Sequence, residues 1–481
     1  MTLSEMIREI PGFKSLTQDA QVSGLAYDSR RVSPGDAFFC LPGLHVDGHN
    51  YAQKALEAGA AALVVERPLP IDLPQVVVED ARLAMAGMSA AFYRHPSREM
   101  TIVGISGTKG KTTTTYLFKA AAQACGYKVG LLGSVAIMIG DDLIPADLNT
   151  PEAPDLQAIL RRMADAGVQI AVMEVSAHGL AQHRVDGIVY DAVVMTNFTQ
   201  DHLDYFHDMD TYAEAKKVFF APERCRKASV NLDGDRALWF MENAPDVTTY
   251  AISKPSQIHA NDIEIAQRGV TFSATVDGVA YPVALKLSGL FNVYNALAVL
   301  SVVHMLSLPI ERAIAGINSV RAVPGRIEML ETNTPYGILL DYAHSPDSLD
   351  NILRTVKQFT KGRVIALFGC GGDRDAGKRP IMGEIAGRLA DYVILTSDNP
   401  RTEDPFKIIA EIEGGIKRTG VAYETIESRR EAIRRAMDIA RPDDTIVLAG
   451  KGHETYQETG GVKRPFDEKR VVAELLAERA T

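Results

Sequence analysis

The run Ser106-Gly107-Thr108-Lys109-Gly110-Lys111-Thr112-Thr113-Thr114 carries the sharpest chemical signal in the chain. Closely spaced glycines let backbone amides curl around a phosphate, and the start of a helix adds the positive end of its dipole. Lys111 has the reach for the outer phosphates and the Thr112 hydroxyl suits magnesium, so the run points to a nucleotide site. The common spacing asks for glycine where Ile105 stands, flanked here by Gly104 and Gly107, so an ordinary glycine turn before a capped helix is the alternative. Lys109 either adds charge to the loop or faces water.

Acids and histidines follow two later apolar runs. Glu174 leaves Ile170-Ala171-Val172-Met173 and leads into Val175-Ser176-Ala177-His178. A carboxylate at that position suits the oxygen shell of a hard cation, and it suits a helix cap equally well. Asp201-His202-Leu203-Asp204 follows Ala192-Val193-Val194-Met195, either as magnesium or phosphate contacts or as caps beside a structural histidine. Lys216 lies in a helical stretch with one apolar face. On residue type alone it reads as a surface lysine whose stem covers apolar neighbours.

The last third repeats the pattern of an apolar strand ending in a polar or glycine-bearing loop. Asp341-Tyr342-Ala343-His344 follows one such run, and residues 369–380, with Arg374, Lys378 and Arg379, follow the next. Arginine suits bidentate recognition of carboxylates. Ser397-Asp398-Asn399-Pro400-Arg401 and Gly450-Lys451-Gly452-His453-Glu454 occupy the same position after later strands. A carboxylate beside an arginine and an asparagine offers partners to both ends of a zwitterionic amino acid, although each loop taken singly also reads as solvated. Together they suggest a nucleotide-driven enzyme of two further substrates, with a site shared between domains.

The elements that must position these residues read as α/β throughout. With 481 residues, about two to four domains are expected. Residues 1–98 form a small α/β module, ended by His95-Pro96-Ser97 because proline cannot continue a helix. Residues 99–325 alternate strands and helices as a mostly parallel sheet does, and include a strand-rich interlude over 262–287. Residues 326–481 form a further α/β series after the Val323-Pro324-Gly325 linker. With 51 Lys plus Arg against 61 Asp plus Glu, the net charge is −10 with no basic block, which argues against a polynucleotide partner. Cys40, Cys125, Cys225 and Cys370 lie far apart and read as free thiols of a reducing compartment. The acidic start is unlike a signal peptide, and no apolar run approaches about 18 residues, so membrane insertion is not expected and a cytoplasmic protein is.

Residues 107–114, 174–180, 201–204, 341–344 and 450–454 together resemble the ATP-dependent Mur ligases of peptidoglycan precursor synthesis, in family order through essentially the whole chain. The resemblance implies three domains: an amino-terminal one for the UDP end, a central ATPase-like one with a phosphate loop, and a carboxyl-terminal Rossmann-like one for the incoming amino acid. The implied reaction passes the ATP γ-phosphoryl group to the D-glutamyl γ-carboxylate of UDP-N-acetylmuramoyl-L-alanyl-D-glutamate. The amine of meso-2,6-diaminopimelate then displaces phosphate. Lys111, Glu174, His202 and Lys216 would be the catalytic set, with Thr112, Glu174, His202 and Lys216 linked to magnesium. Lys216 would carry an N-carboxyl group derived from carbon dioxide, a carbamate, which replaces the surface reading of that lysine.

By the same resemblance Gly107, Thr108, Lys109, Gly110, Lys111, Thr112, Thr113, Asn292, Asn295, Arg326, Asp341 and His344 belong to the ATP site. Ser29, Arg30, Thr150, Ser176, Gln182 and Arg184 belong to the UDP-muramoyl dipeptide site. Arg379, Asp398, Asn399, Pro400, Arg401, Gly450 and Glu454 belong to the diaminopimelate site, where Arg401 would clamp the distal carboxylate. Lysine-adding relatives lack that arginine. Three positions depart from the family: Lys109 for the usual asparagine, Ala177 for serine and Gln200 for arginine. The competing readings are a lysine-adding ligase, a folylpolyglutamate-synthase-like enzyme and a noncatalytic scaffold with a Mur-like fold. A monomer is the expected state.

Overall fold

The computed structural model describes residues 1–8, 10–43, 46–140, 142–144, 148–266 and 269–480, apart from the side chains of Asp204 and Ala480. Two units emerge. One comprises Met1–His259, Thr275–Ala280 and Tyr294–Ile317, and the other Ala260–Ala274, Tyr281–Val293 and Asn318–Thr481.

In the first unit, a five-stranded sheet runs in the order Phe13–Leu16, Gln75–Val78, Ala62–Val65, Asp36–Phe39, Gly24–Ala26. Only the first of these is antiparallel to its neighbour. The helix Ala81–Phe92 lays Ala84, Met85 and Met88 against the core of this sheet. It ends at Phe92, and Arg94 and His95 then take left-handed φ of 60° and 49° before Pro96.

The larger sheet of this unit has a parallel centre in the order Val247–Ala251, Ala228–Asn231, Ala192–Met195, Thr101–Ser106, Ile170–Glu174, Val129–Leu132. The central strands Ala192–Met195, Thr101–Ser106 and Ile170–Glu174 are nearly continuous apolar runs because both faces are covered. Strand Thr101–Ser106 is flanked on one side by Ile170–Glu174 and on the other by Ala192–Met195. Strand order reverses there, and in open α/β sheets the crevice at the carboxyl ends of such a reversal is where ligands sit. The helix Lys111–Ala124 returns over the sheet, with Leu117 and Phe118 fully enclosed. Burial of each side chain contributes about 1.5–3 kcal/mol and fixes the direction in which the helix start points.

The second unit holds a six-stranded sheet in the order Glu328–Met329, Gly337–Asp341, Thr445–Ala449, Val364–Phe368, Tyr392–Leu395, Tyr423–Thr425. All neighbours after the first pair are parallel. Helices Pro346–Phe359, Lys378–Leu389 and Pro405–Ile416 pack on one face around Leu353, Met382 and Ile412, while Arg429–Ile439 and Glu468–Ala480 cover the other. The architecture is thus α/β with mostly parallel sheets, as the alternation of runs predicts. The antiparallel hairpin of Tyr456–Thr459 and Val462–Pro465 has no counterpart in the sequence reading. Its strands are polar and largely exposed, so they lack the apolar run that marks the buried strands.

Candidate functional site

The glycine-rich loop leaves strand Thr101–Ser106 and enters helix Lys111–Ala124, as read from the sequence. Gly107 has φ of 142° and Gly110 has φ of 85°, in the region that L side chains rarely adopt. A Cβ on Gly107 would stand 1.9 Å from Thr196 Oγ1, and one on Gly110 would stand 2.5 Å from Asn295 Oδ1. Glycine at both positions is therefore steric necessity. The loop is braced from the next strand end. Thr196 Oγ1 and Asn197 Nδ2 donate to Lys109 O at 2.6 and 2.9 Å, and Lys109 N donates to Asn197 Oδ1 at 2.9 Å. Thr108 Oγ1 donates to Thr199 O and meets the Tyr212 hydroxyl, each at 3.1 Å. Asn295 Oδ1 accepts from Thr114 Oγ1 at 3.3 Å, which brings this expected ATP residue to the same helix start.

Lys111 Nζ bends back to donate to Gly107 O at 2.8 Å and Thr108 O at 3.0 Å. Those carbonyls hold the ammonium over the cradle where an anion would take it. Gly110, the N-cap, has no side chain, so no side-chain cap occupies the helix start, and Thr112 and Thr113 are both buried in its first turn. Thr112 Oγ1 lies 3.4 Å from Ser134 Oγ, which donates to Glu174 Oε2 at 2.8 Å. Ser134 N donates to the other Glu174 oxygen at 2.9 Å. This hydroxyl–hydroxyl–carboxylate chain is an all-oxygen donor set of the type that a hard cation prefers. Ser134 is absent from the sequence reading, since a Gly-Ser pair after a short strand carries no distinctive pattern. Among the described residues no cluster of three or more His, Cys, Asp and Glu comes together.

A cavity of about 240 Å³ opens beside the loop, lined by Gly107, Lys111, Ser176, His178, His202 and Lys216, among others. Lys216 is 1% exposed, in contrast to the surface position that its helix pattern alone suggests. Burial and then the charge of Lys111 depress its pKa well below the ordinary lysine value, while Asp201 opposes them. Its Nζ sits 5.0 Å from the centre of the Tyr212 ring. His202 takes a left-handed φ of 56° and meets the His178 ring edge-on at 4.7 Å between centroids. Tyr212 and His178 therefore join the cavity wall without having been expected there. The side chain of Asp204 lies outside the described residues.

Next to this cavity the expected sugar-nucleotide residues converge. Thr150 Oγ1 donates to Glu174 O and accepts from Ser176 N, both at 3.1 Å. Ser176 Oγ caps the following short helix by accepting from Gly179 N at 3.0 Å. Arg184 donates from Nη1 to Thr150 O at 2.9 Å and from Nη2 to Gln182 Oε1 at 2.6 Å, and its Nε lies 3.1 Å from Glu152. Ser29 and Arg30 lie on the loop after strand Gly24–Ala26, which is tied to the helix Ala153–Asp165 by Tyr27 and Arg31 at Asp155, and Arg30 itself is exposed and 2.6 Å from Asp28.

In the second unit, Asn292 Nδ2 donates to Ser288 O at 2.8 Å and the residue is buried. Asp341 Oδ2 accepts from Ile327 N at 2.9 Å. Burial pushes the Asp341 carboxyl up, opposed by Arg326, whose guanidinium lies 5.3 Å from the Tyr342 ring. His344 Nδ1 pairs with Tyr342 O at 2.8 Å.

The loops after strands Tyr392–Leu395 and Thr445–Ala449 interlock. Asn399 Nδ2 donates to Glu454 Oε2 at 2.8 Å, and the enclosed Lys451 ammonium donates to Asn399 Oδ1 and Glu454 Oε2, each at 3.1 Å. Gly450 has φ of 114°, and a Cβ there would stand 2.3 Å from Asp398 Oδ2. After Pro400, Arg401 adopts φ of 51°, donates from Nη1 to Gly372 O at 2.7 Å and has Nε 3.7 Å from Glu458. The structure thus brings Asp398, Asn399, Pro400, Arg401, Gly450 and Glu454 together. Arg379 differs. It is 1% exposed, and its guanidinium is held by Glu403 at 2.9 Å, Glu411 at 2.7 Å and Gly371 O at 3.3 Å. That pairing leaves it beneath the loop, whereas Arg374 of the same segment is exposed.

Family models match the chain in three parts: Mur ligase family, catalytic domain over residues 21–93, Mur ligase middle domain over 105–303, and Mur ligase, glutamate ligase domain over 325–452. The chain is 43% identical, over 99% of both chains, to the UDP-N-acetylmuramoyl-L-alanyl-D-glutamate–2,6-diaminopimelate ligase of Caldanaerobacter subterraneus subsp. tengcongensis. It is 42% identical, over the full length of both, to the protein of the same name from Geobacillus kaustophilus. A solved structure with that ligase name has a TM-score of 0.70 at 32% identity, covering 96% of each chain. A folylpolyglutamate synthase from Mycobacterium tuberculosis, at 20% identity and a TM-score of 0.64 over 76% of this chain and 92% of its own, shares the fold. With its glycine loop, its interlocked strand-end loops and this full-length likeness, the chain belongs to the Mur ligase family.

Proposed function

We propose that the chain adds meso-2,6-diaminopimelate to the D-glutamyl γ-carboxylate of UDP-N-acetylmuramoyl-L-alanyl-D-glutamate, with ATP converted to ADP and phosphate, in peptidoglycan precursor synthesis. The observation that carries this reading is the Asp398–Arg401 loop interlocked with Gly450 and Glu454, in a chain 43% identical over its length to a ligase named for that amino acid. The domain assignment that goes with it is 1–98 for the UDP end, 99–325 for ATP and 326–481 for the amino acid.

Carboxylate oxygen is a poor leaving group, so the γ-carboxylate first attacks the γ-phosphorus of ATP and ADP departs. The amine then attacks the acyl carbon of the mixed anhydride, phosphate leaves, and the nitrogen loses a proton as the amide forms. Orientation and charge stabilisation carry such a reaction. Lys111 exchanges its loop carbonyls for phosphate oxygens and steadies the transferring charge. Thr112 and Glu174, with Ser134 between them, have the oxygen donors to hold magnesium, which supplies neutralisation of the phosphates when bound. His202 lines the cavity with Lys111 and Lys216 and would serve the metal-linked role that the family resemblance gives it.

Lys216 is the residue for a carbamate. A buried lysine with a depressed pKa keeps a free electron pair on Nζ, which adds to the carbon of carbon dioxide and releases a proton to solvent. The product is anionic and relieves the repulsion from Lys111. Arg184 and Thr150, joined to Gln182 and Ser176, hold the muramoyl end, with Ser29 and Arg30 toward the uridine. Arg401 and Asn399 with Glu454 read the carboxylate and ammonium of the incoming amino acid. A bare lysine side chain keeps the distal ammonium but lacks the carboxylate that would pair with Arg401, so two cations would face each other uncompensated, which disfavours the lysine-adding alternative.

The test is ADP release by the purified protein with each substrate omitted in turn. Release is expected only when ATP, magnesium, the UDP-muramoyl dipeptide and meso-diaminopimelate are all present. Release at the same rate without the amino acid would overturn the ligase reading.

A further inference from the structure

We propose that Arg429 is a positioning residue for amino-acid binding, its enclosed guanidinium tying together the bases of the two loops that carry Asp398–Arg401 and Gly450–Glu454. This rests on the ligase reading above and extends it to a residue outside the amino-acid contact set.

Arg429 opens the helix Arg429–Ile439 and is 1% exposed, although arginine is almost never fully buried without a partner. Its Nε donates to Glu468 Oε1 at 2.8 Å, the equally buried first residue of helix Glu468–Ala480. Its Nη2 donates to Ala449 O at 2.8 Å and its Nη1 reaches Ser397 O at 3.5 Å. Ala449 is the last residue before Gly450, and Ser397 the last before Asp398. One planar group therefore grips both loops at the point where each leaves the sheet. The loops touch immediately beyond, since Gly450 packs where a Cβ would strike Asp398, and they are knitted further out by Lys451, Asn399 and Glu454.

Stability does not explain the arrangement. Apolar residues of similar volume commonly replace a buried ion pair without loss. Here one oxygen of Glu468, Oε2, lacks a hydrogen-bond partner among the described residues, which adds a desolvation cost. What only the guanidinium supplies is a rigid fork of donors that reaches a carboxylate and two carbonyls at once. The neighbouring Arg430 provides the contrast. It joins the same two helices through Glu474 and Glu478, each at 2.7 Å, and among the described residues its guanidinium donates no hydrogen bond to either loop.

The experiment compares the full-length native protein, the Arg429→Met/Glu468→Met double variant, Arg429→Lys, and Arg430→Met/Glu474→Met in steady-state assays with each substrate varied. The Arg429 double variant is expected to raise KM for meso-diaminopimelate about tenfold or more, since misplacement by about 1 Å is costly, while KM for ATP and for the UDP-muramoyl dipeptide stay within about twofold. The Arg430 pair is expected to leave all three unchanged. A double variant that melts with the native protein and keeps its KM for diaminopimelate would overturn the inference, as would equal losses from the Arg430 pair. If the double variant does not fold, Arg429→Lys decides by the same readout, because its single ammonium keeps the charge opposite Glu468 and cannot span both carbonyls. Absence of diaminopimelate-dependent ADP release by the native protein would overturn the ligase reading and this inference with it, whereas normal native activity with an unaffected variant overturns the inference alone.

Discussion

Lys216 shows how a residue's chemistry depends on partners far along the chain. Its own helix, Met209–Lys217, has an apolar stripe and two adjacent lysines, which reads as a solvated edge. The groups that enclose it include the loop of Lys111, brought alongside by the parallel pairing of strands, and no local pattern records that. A lysine whose proton affinity falls on folding costs the native state stability as pH drops, because the unfolded chain binds a proton that the folded chain resists. In buffer depleted of carbon dioxide, Lys216→Met is therefore expected to melt no lower than the native protein at neutral pH. Its relative advantage should grow as pH falls from about 10 toward neutrality. The Lys216→Ala protein is expected to lose ADP release about 100-fold or more and to regain part of it with a small carboxylic acid such as acetate. Undiminished ligation in that variant would remove the carbamate from the mechanism.

Arg379 is the converse case. Its place after a glycine-bearing strand-end loop suggests a carboxylate of the substrate, and the structure puts it in the first turn of helix Lys378–Leu389 with two protein carboxylates already on it. Glu403 and Glu411 lie later in the chain, in and beyond a segment that gives no sign of folding back. Arg379→Met should cost about 1–3 kcal/mol through the stranded acids, a fall of several degrees in Tm, with KM for the amino acid little changed. An unchanged Tm with a raised KM would return Arg379 to direct contact with substrate.

Elements were more legible than residues wherever both faces are buried. The strands Val364–Phe368, Tyr392–Leu395 and Thr445–Ala449 are unbroken apolar runs, and each ends in a polar or glycine-bearing loop at the sheet's carboxyl edge. The hairpin of Tyr456–Thr459 and Val462–Pro465 was invisible because its period is masked by charge on both faces. The glycine loop was legible as a phosphate cradle, but its bracing by Thr196 and Asn197 was not, because register between parallel strands sets that contact. Gly107→Ala tests the element. With φ of 142° and Thr196 Oγ1 in the way, the loop must shift, and KM for ATP should rise about tenfold or more while affinity for diaminopimelate holds. Equal kinetics in the variant would show that loop geometry is not what binds the nucleotide.

At the scale of the whole molecule, composition excluded much and specified little. A net charge of −10 argued against a polynucleotide, and among the described residues no helix is long and apolar enough to cross a membrane. The fold class followed from alternating runs, and the family from motifs in a fixed order along the full length. The identity of the amino acid rests on the narrowest base, the interlocked loops around Asn399, Arg401 and Glu454. The most direct measurement is therefore the ratio of kcat/KM for meso-diaminopimelate and for L-lysine with the native protein, with the product weighed by mass spectrometry. A preference of about 100-fold or more for diaminopimelate is expected, because the lysine side chain leaves Arg401 without its carboxylate. Equal or better turnover of L-lysine would contradict the assignment.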